Sequence, residues 1–436
     1  MAAPGGVAAG GHRVTAPRLS RAALAAAGTP LPAPPVRIVH LGVGAFHRAH
    51  QAWYTHHAGD DWGIAAFTGR RAELAHRLGP QDGLFTVVER GPDADRVEIV
   101  GSIARAHRAD EVERMLQLCA APETAVITLT ITEAGYHLGA DGALDTSDPA
   151  VAADIAALRA GAPPATPVGR LVAGLHARAR AGAGPLAVVA CDNLPELAAR
   201  LRDAVAELAS AAGLPPVEAS FVATSVDRIT PHETDAAAVA AATGWHDEAA
   251  VVTEPFSDWT LCGEFPAGRP AWERAGALFV DDIVPFERRK LLLLNGGHLQ
   301  LAFHGLLRGH VTIAEAVRDP ACRAGLESFW DEAARTVGPG ADTEHYRAAL
   351  LERFENPRIE HRLAQIAVDT ATKLRIRILP VIAAETAQGW DARGARAVIQ
   401  RWRTAAAAGL VPDVPPARAG REESALWQTA KLFARS

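Results

Sequence analysis

The segment Val36-Arg-Ile-Val-His-Leu-Gly42-Val-Gly44 does most to limit the fold. A β-branched and apolar run ends on a glycine, a second glycine follows two residues later, and a helical pattern continues to about His57. Strand, Gly-x-Gly turn and helix are the opening of a dinucleotide-binding unit. Gly42 permits the tight turn and Gly44 lets the backbone approach a pyrophosphate, while free N–H groups of the next helix face the anion. Gly42, Gly44, Phe46, His47 and Arg48 are therefore the expected cofactor contacts here. The third glycine of the usual pattern is missing and His47 stands in its place. Taken alone, the stretch is equally compatible with a turn that holds no cofactor.

Further strand-like runs occupy residues 62–67, 84–89, 97–103, 125–131, 186–191, 220–226 and 278–280. Helical patterns at 110–120, 148–159, 168–181 and 194–212 separate several of them. Such alternation predicts a mainly parallel sheet with helices on both faces, and ligands in such sheets sit beyond the C-terminal strand ends. Thr132-Glu133, Asp192-Asn193 and Asp227-Arg228 all fall at predicted strand ends and are expected to converge there. From Pro285 onward the patterns are helical, over 286–308, 313–318, 320–337, 342–355, 358–366, 371–387, 391–407 and 422–434. The expected fold class is α/β: a Rossmann-type domain over 36–282, then an all-helical domain over 283–436. The Ala-, Gly- and Pro-rich residues 1–35 read as a flexible leader with a short helix near 20–27.

The net charge of −6 argues against nucleic-acid or anionic-membrane partners. No apolar run approaches the ~18 residues of a membrane span. The four cysteines, Cys119, Cys191, Cys262 and Cys322, are far apart and form no CxxC pair, which fits reduced thiols in a cytoplasmic protein. His40, His47, His50, His56 and His57 crowd one region. Only His47 and His50 have helical-pair spacing, and no metal is expected.

The chemistry points to residues 287–298. At about 100° per residue, with Lys290 as origin, Glu287 falls near about 60°, His298 near about 80° and Asn295 near about 140°. If one α-helix runs through Gly296-Gly297, an amine, an amide, an imidazole and a carboxylate share one face. Leu291 to Leu294 would bury most of the remainder. Two glycines cost a helix roughly 1 kcal/mol each, which makes sense if something approaches the backbone closely. A surface Lys–Glu pair with an unrelated histidine is the bland alternative.

The run Lys290-Leu-Leu-Leu-Leu-Asn295-Gly-Gly-His298 resembles the Lys-x4-Asn-x2-His signature of the polyol-specific long-chain dehydrogenases, the mannitol 2-dehydrogenase and fructuronate reductase family. Gly42-Val-Gly-Ala-Phe-His-Arg-Ala-His-Gln51, Thr130-Ile-Thr-Glu-Ala-Gly-Tyr136, Cys191-Asp-Asn-Leu-Pro195, Ser225-Val-Asp-Arg-Ile-Thr-Pro231 and Val252-Thr-Glu-Pro255 resemble the same family in the same order. The resemblance spans about residues 36 to 385. It implies a metal-independent, NAD- or NADP-dependent oxidoreductase that interconverts a polyol and a ketose of the mannitol and fructose kind. Lys290 would be the general base, Asn193 and Asn295 the oxyanion donors, His298 a substrate-orienting group and Glu287 a proton relay. Asn193 and Glu133 would also border the cofactor, and Asp227, Arg228 and Lys373 the substrate. Lys373, Arg375 and Arg377 together would suit a carboxylate or phosphate. Burial against leucines would bring the lysine down from its ordinary pKa of about 10.4. Keto-uronate reduction and mannitol-1-phosphate 5-dehydrogenase-type activity remain open, as does a non-catalytic nucleotide-binding role. A monomer or weak homo-oligomer is expected.

Two departures matter. The second predicted strand ends in Phe67-Thr-Gly-Arg70-Arg71, with none of the acid that binds the ribose hydroxyls of NAD. Arg70 and Arg71 could instead accept the 2′-phosphate of NADP, so Arg70 is an expected cofactor contact and NAD against NADP stays open. Cys191-Asp-Asn-Leu-Pro-Glu-Leu197-Ala198 also lacks the Asn-Gly usual in relatives, so the helix there is expected to start differently.

Overall fold

A computed structural model describes residues 16–412, apart from 140, 232 and 233, together with 414, 420, 421 and 423–426. The expected leader over 1–15 and most of the helix expected at 422–434 lie outside the described residues. Eleven strands form among the described residues: β1 (Val36–Leu41), β2 (Gly63–Phe67), β3 (Phe85–Arg90), β4 (Asp95–Val100), β5 (Ile103–His107), β6 (Val126–Leu129), β7 (Ala187–Ala190), β8 (Ser220–Asp227), β9 (Val251–Thr253), β10 (Asp258–Cys262) and β11 (Leu278–Phe279).

The main sheet has the order β11-β10-β8-β7-β6-β1-β2-β5. It is parallel from β5 to β8, and β10 runs antiparallel against β8. Read from β5 to β8, this is the doubly wound order, and chain direction across the sheet reverses between β1 and β6. A crevice must open there, because the connections leave β1 and β6 in opposite directions. The central strands are buried almost throughout, in keeping with their largely apolar content. Helices Val112–Ala120, Pro167–Ala181 and Leu197–Ala211 supply the apolar cover on one side.

The single strand expected over 97–103 is two strands. Gly101 packs so tightly on Leu31 that a Cβ would lie 2.7 Å from Leu31 Cδ2. The Ser102 hydroxyl donates to the Ala52 carbonyl at 2.6 Å. The chain turns at this pair: β4 joins β3 and β9 in a separate three-stranded sheet, and β5 becomes the edge of the main one. Strands β9 and β10 and the helix Ala236–Thr243 were not expected, being short or almost all alanine.

Residues 16–35, expected as flexible, are pinned. Leu19 and Leu24 are buried against Leu84, and Ser20 caps the helix Arg21–Ala26. The Arg21 guanidinium donates to the carbonyls of Leu31, Asp82, Gly101 and Ile103. One arginine answering four carbonyls offsets part of the cost of ordering this segment.

Every described helix or strand after Phe279 is helical. Helices Gly297–Leu307, Pro320–Val337 and Arg393–Ala407 pack around one core containing Phe303, Phe329, Trp330 and Trp402. The helix expected over 371–387 breaks at Ile378 into Thr370–Arg377 and Leu379–Ala387. Pro380 has no N–H to give and its ring crowds the carbonyl four residues back. Of the helix expected over 358–366, only Leu363–Ile366 forms. Among the described residues no helix is long and apolar enough to cross a membrane.

Candidate active site

The first structural surprise lies in the expected Lys290 helix. Val284–Arg289 is α-helical, Lys290–Gly296 is wound as a π-helix, and Gly297–Leu307 is α-helical again. In π winding each residue turns by less than the α-helical step, so Asn295 rotates back toward the line of Lys290. The wider turn frees backbone groups, and the Trp330 indole N–H donates to the Leu293 carbonyl at 2.8 Å. The two glycines serve this packing. A Cβ on Gly296 would lie 2.7 Å from Phe329 Cζ, and one on Gly297 would lie 2.9 Å from Trp330 Nε1. Leu292, Leu293 and Leu294 face the helical core and hold the π segment in place.

Lys290 reaches from the helical domain to the ends of β7 and β8. Its ammonium donates to Asn193 Oδ1 and, at 2.5 Å, to the Val226 carbonyl. Since an ammonium only donates, the Asn193 amide must turn its oxygen to Lys290, which leaves its NH2 for another acceptor. Burial lowers the Lys290 pKa below the ordinary lysine value, while Asp227 and Asp258 pull it back up. Glu287, one turn earlier and half-buried, has its carboxyl pushed up by burial and by Glu196. Asn295 is half-buried in the π segment.

Arg353, on helix Thr343–Glu355, organises the surroundings of Lys290. It donates to Asp227 at 2.6 and 3.3 Å and to Glu254 at 2.7 Å through each of two nitrogens. Its side chain is 4% exposed. Burial would lower its pKa, but the two carboxylates hold it well above the ordinary arginine value. The Asp227 carboxyl, though buried, is held below its usual range by Arg353 and Lys290. For Glu254 burial wins and the pKa rises. Beside them Arg289 pairs with Asp258 at 3.2 Å. Arg353, Glu254, Asp258 and Arg289 were all missed in the sequence. Nothing in local patterning marks a helical arginine whose partners lie 126 and 99 residues away.

Other expected residues fall elsewhere. Arg228, expected at the substrate, is interior: it bonds Glu89 at 2.5 Å, the Ala49 carbonyl at 2.6 Å and the Glu254 carbonyl at 3.1 Å, and lies over the Trp53 ring. Those partners use all three guanidinium nitrogens. His298 is 8% exposed, packed against Phe354 and His361 with ring centroids 4.8 and 4.7 Å away, and burial pushes its pKa well down. The cavity at its side measures only 10 Å³, room for about one water. Lys373 donates to the carbonyls of Ile366 and Val368 at 3.1 and 2.5 Å.

A cleft of 1190 Å³ opens at the switch point between β1 and β6. Gly42 stands at its floor with φ +100°, and a Cβ there would lie 2.2 Å from the Thr130 carbonyl oxygen. A Cβ on Gly44 would meet only the Gly42 carbonyl oxygen, at an ordinary contact distance of 3.7 Å. Arg48 lines the cleft but spends its guanidinium on the carbonyls of Gly44, Ala249 and Ala250. Arg70 lines the cleft and is exposed. His47 and Phe46 do not line it. His47 is fully buried and stacked on His40 at 3.3 Å, and burial keeps its ring neutral. Phe46 stacks on His50 at 4.9 Å, where the expected helix breaks. Glu133 is exposed on a short 3-10 turn whose Ala134 and Gly135 border the cleft. The Asp192 carboxylate fixes that turn, accepting from Ile131 N at 2.9 Å, Thr132 N at 3.1 Å and the Tyr136 hydroxyl at 2.7 Å. Among the described residues one cluster, His310, Asp319 and Cys322, has ligand atoms within 4.8 Å of one another. There Asp319 already accepts from Arg308 at 2.6 Å and pairs with His310 at 2.9 Å.

Comparison with known proteins gives the same outline. The chain is 40% identical over 363 residues to the D-mannonate oxidoreductase of Escherichia coli (strain K12), covering 79% of this chain and 74% of that protein. A substrate-free D-sorbitol dehydrogenase superposes with a TM-score of 0.82 at 26% identity, covering 96% and 97% of the two chains. The mannitol 2-dehydrogenase of Pseudomonas fluorescens, solved as a ternary complex with NAD and D-mannitol, superposes with a TM-score of 0.71 at 32% identity, covering 94% and 89%. The family model for the mannitol dehydrogenase Rossmann domain matches residues 36–274, and that for the mannitol dehydrogenase C-terminal domain matches residues 282–403. This chain therefore belongs to the mannitol dehydrogenase family.

Proposed function

We propose that this chain is a nicotinamide-dependent dehydrogenase that interconverts the hydroxyl and keto forms of a polyol, with Lys290 as general base. The observation that carries the reading is the seat of Lys290, a partly buried amine with lowered pKa. It bridges from the π segment to Asn193, just beyond β7, and to Val226 near the end of β8. The cleft fits a dinucleotide: Gly42 leaves no room for a side chain, and Gly44 exposes backbone at the switch point. When bound, the nicotinamide supplies the hydride acceptor for a CH–OH carbon.

The residues then divide the work. In its neutral form Lys290 takes the hydroxyl proton. The free NH2 of Asn193 and the Asn295 amide donate to the developing oxyanion without competing for that proton. Glu287, with its raised pKa, passes the proton toward solvent. His298 and Lys373 stand on helices packed against the π segment, but His298 is enclosed beside a cavity of 10 Å³ and Lys373 donates to two carbonyls, so neither is assigned a substrate contact. Asp227 acts on Lys290 electrostatically, since its carboxylate is taken by Arg353.

A sugar acid is the second reading, favoured by the 40% identity to an enzyme named for D-mannonate. The test is a spectrophotometric panel of mannitol, arabinitol, sorbitol, mannonate and fructose 6-phosphate with both nicotinamide cofactors. Turnover of mannonate alone would select the second reading. Cofactor binding without turnover of any member would mark a non-catalytic nucleotide-binding protein.

A further inference from the structure

We propose that Arg70, Arg71 and Arg77 form a site for the 2′-phosphate of NADP(H), so that this chain prefers the phosphorylated dinucleotide. The inference rests on the dinucleotide reading of the switch-point cleft. A dinucleotide with its pyrophosphate over Gly42 and Gly44 carries its adenosine ribose to the end of the neighbouring strand, β2. A carboxylate at that strand end accepts from the ribose hydroxyls and repels a 2′-phosphate, whereas arginine accommodates it.

Here β2 ends at Phe67, and the next residues are Thr68, Gly69, Arg70 and Arg71. Thr68 is buried, and its hydroxyl oxygen accepts from the Ala109 N–H at 3.1 Å, so it is no substitute for the acid. Gly69, Arg70 and Arg71 line the cleft, as do Glu73 and Arg77 of the helix Glu73–Leu78. All three arginines are exposed and none pairs with a described residue. Glu73 is the one carboxylate on the lining among the described residues. The four side chains carry a net positive charge of about two, against about −1.5 to −2 for a phosphate monoester at neutral pH. Three guanidinium groups on one lining suit a dianion better than two ribose hydroxyls.

Calorimetric titration of the full chain with adenosine 2′,5′-bisphosphate and with 5′-AMP tests this without turnover. The bisphosphate is expected to bind at least about tenfold more tightly, equivalent to ~1.4 kcal/mol. That advantage should shrink as salt is raised. In the double variant Arg70→Ser, Arg71→Ser it should disappear while 5′-AMP binding persists, with circular dichroism unchanged because both residues are exposed. Equal or tighter binding of 5′-AMP, or a full advantage kept by the variant, overturns the 2′-phosphate site alone. Binding of neither nucleotide overturns the dinucleotide reading, and this inference with it.

Discussion

Arg353 gives the most demanding prediction, because one side chain spans the two halves of the molecule. It leaves helix Thr343–Glu355 and satisfies Asp227, at the end of β8, and Glu254, just after β9. Replacement by methionine keeps most of the volume and removes four hydrogen bonds, none longer than 3.3 Å. Glu254 retains the Ile229 N–H at 2.6 Å, and Asp227 retains the field of Lys290, but both become buried carboxylates without a paired cation. Removing one partner of a buried ion pair costs about 3–5 kcal/mol. For a folding unit of 150–250 residues that is a fall in Tm on the order of 10 °C. The pH dependence has a definite sign. In the parent, Arg353 and Lys290 hold the Asp227 pKa below its usual range, so its contribution is present at neutral pH and is lost as pH falls through the folded value. In the variant both carboxyl pKa values rise. The penalty is then full at neutral pH, fades as pH falls through the raised folded values, and is gone only well below about 4, where the carboxyls are neutral in both states. Thermal melts of parent and variant at pH 7.5 and pH 5 measure this. A Tm difference under about 2 °C at pH 7.5, or one that does not shrink at pH 5, refutes the assigned role of Arg353.

Lys290→Ala should fold normally, since its side chain is only partly buried, yet lose about 10²–10⁴-fold in turnover, read in the cofactor absorbance assay; near-normal turnover sinks the base assignment. Because burial lowers the Lys290 pKa, kcat/KM for alcohol oxidation should rise with pH and level off below the ordinary lysine value; a profile with no such break contradicts the assignment. Gly296→Ala drives a methyl to 2.7 Å from the fully buried Phe329 ring, so urea denaturation should show a loss of about 1–3 kcal/mol despite alanine's better helix propensity. Trp330→Phe strands the Leu293 carbonyl and shrinks a buried ring, and the same assay should show at least about 1–3 kcal/mol lost; an unchanged midpoint refutes the role given to the indole N–H.

Much of the architecture was legible because it rests on local rules. Strands β1, β2, β3, β6, β7, β8 and β11 are short apolar runs bounded by turn residues, and they form within a few residues of where the pattern puts them. Helices Ile313–Arg318 and Pro320–Val337 begin at Thr312 and Asp319, whose side chains cap free N–H groups, so their limits can be read from the chain. Strand β10 was not legible, since Asp258-Trp-Thr-Leu-Cys262 gains its identity by pairing antiparallel with β8. Nor was the break at Gly101, which depends on Leu31 pressing from 70 residues away in the chain.

The site divides along the same line. The residues alone put Lys290, Asn295 and Glu287 on one element and Gly42 at a strand-ending turn, because spacing and a missing Cβ are properties of a short stretch. The π winding needed the tertiary structure, since it is fixed by Phe329, Trp330 and the leucine core. So did the embrace of Lys290 by Asn193 and Val226, and the Arg353 pair behind it, which join segments 97, 64 and 126 residues apart. Burial is set by the fold, so only the fold could lower the lysine pKa, turn His47 and Arg228 inward, and leave Arg70, Arg71 and Arg77 facing an open cleft.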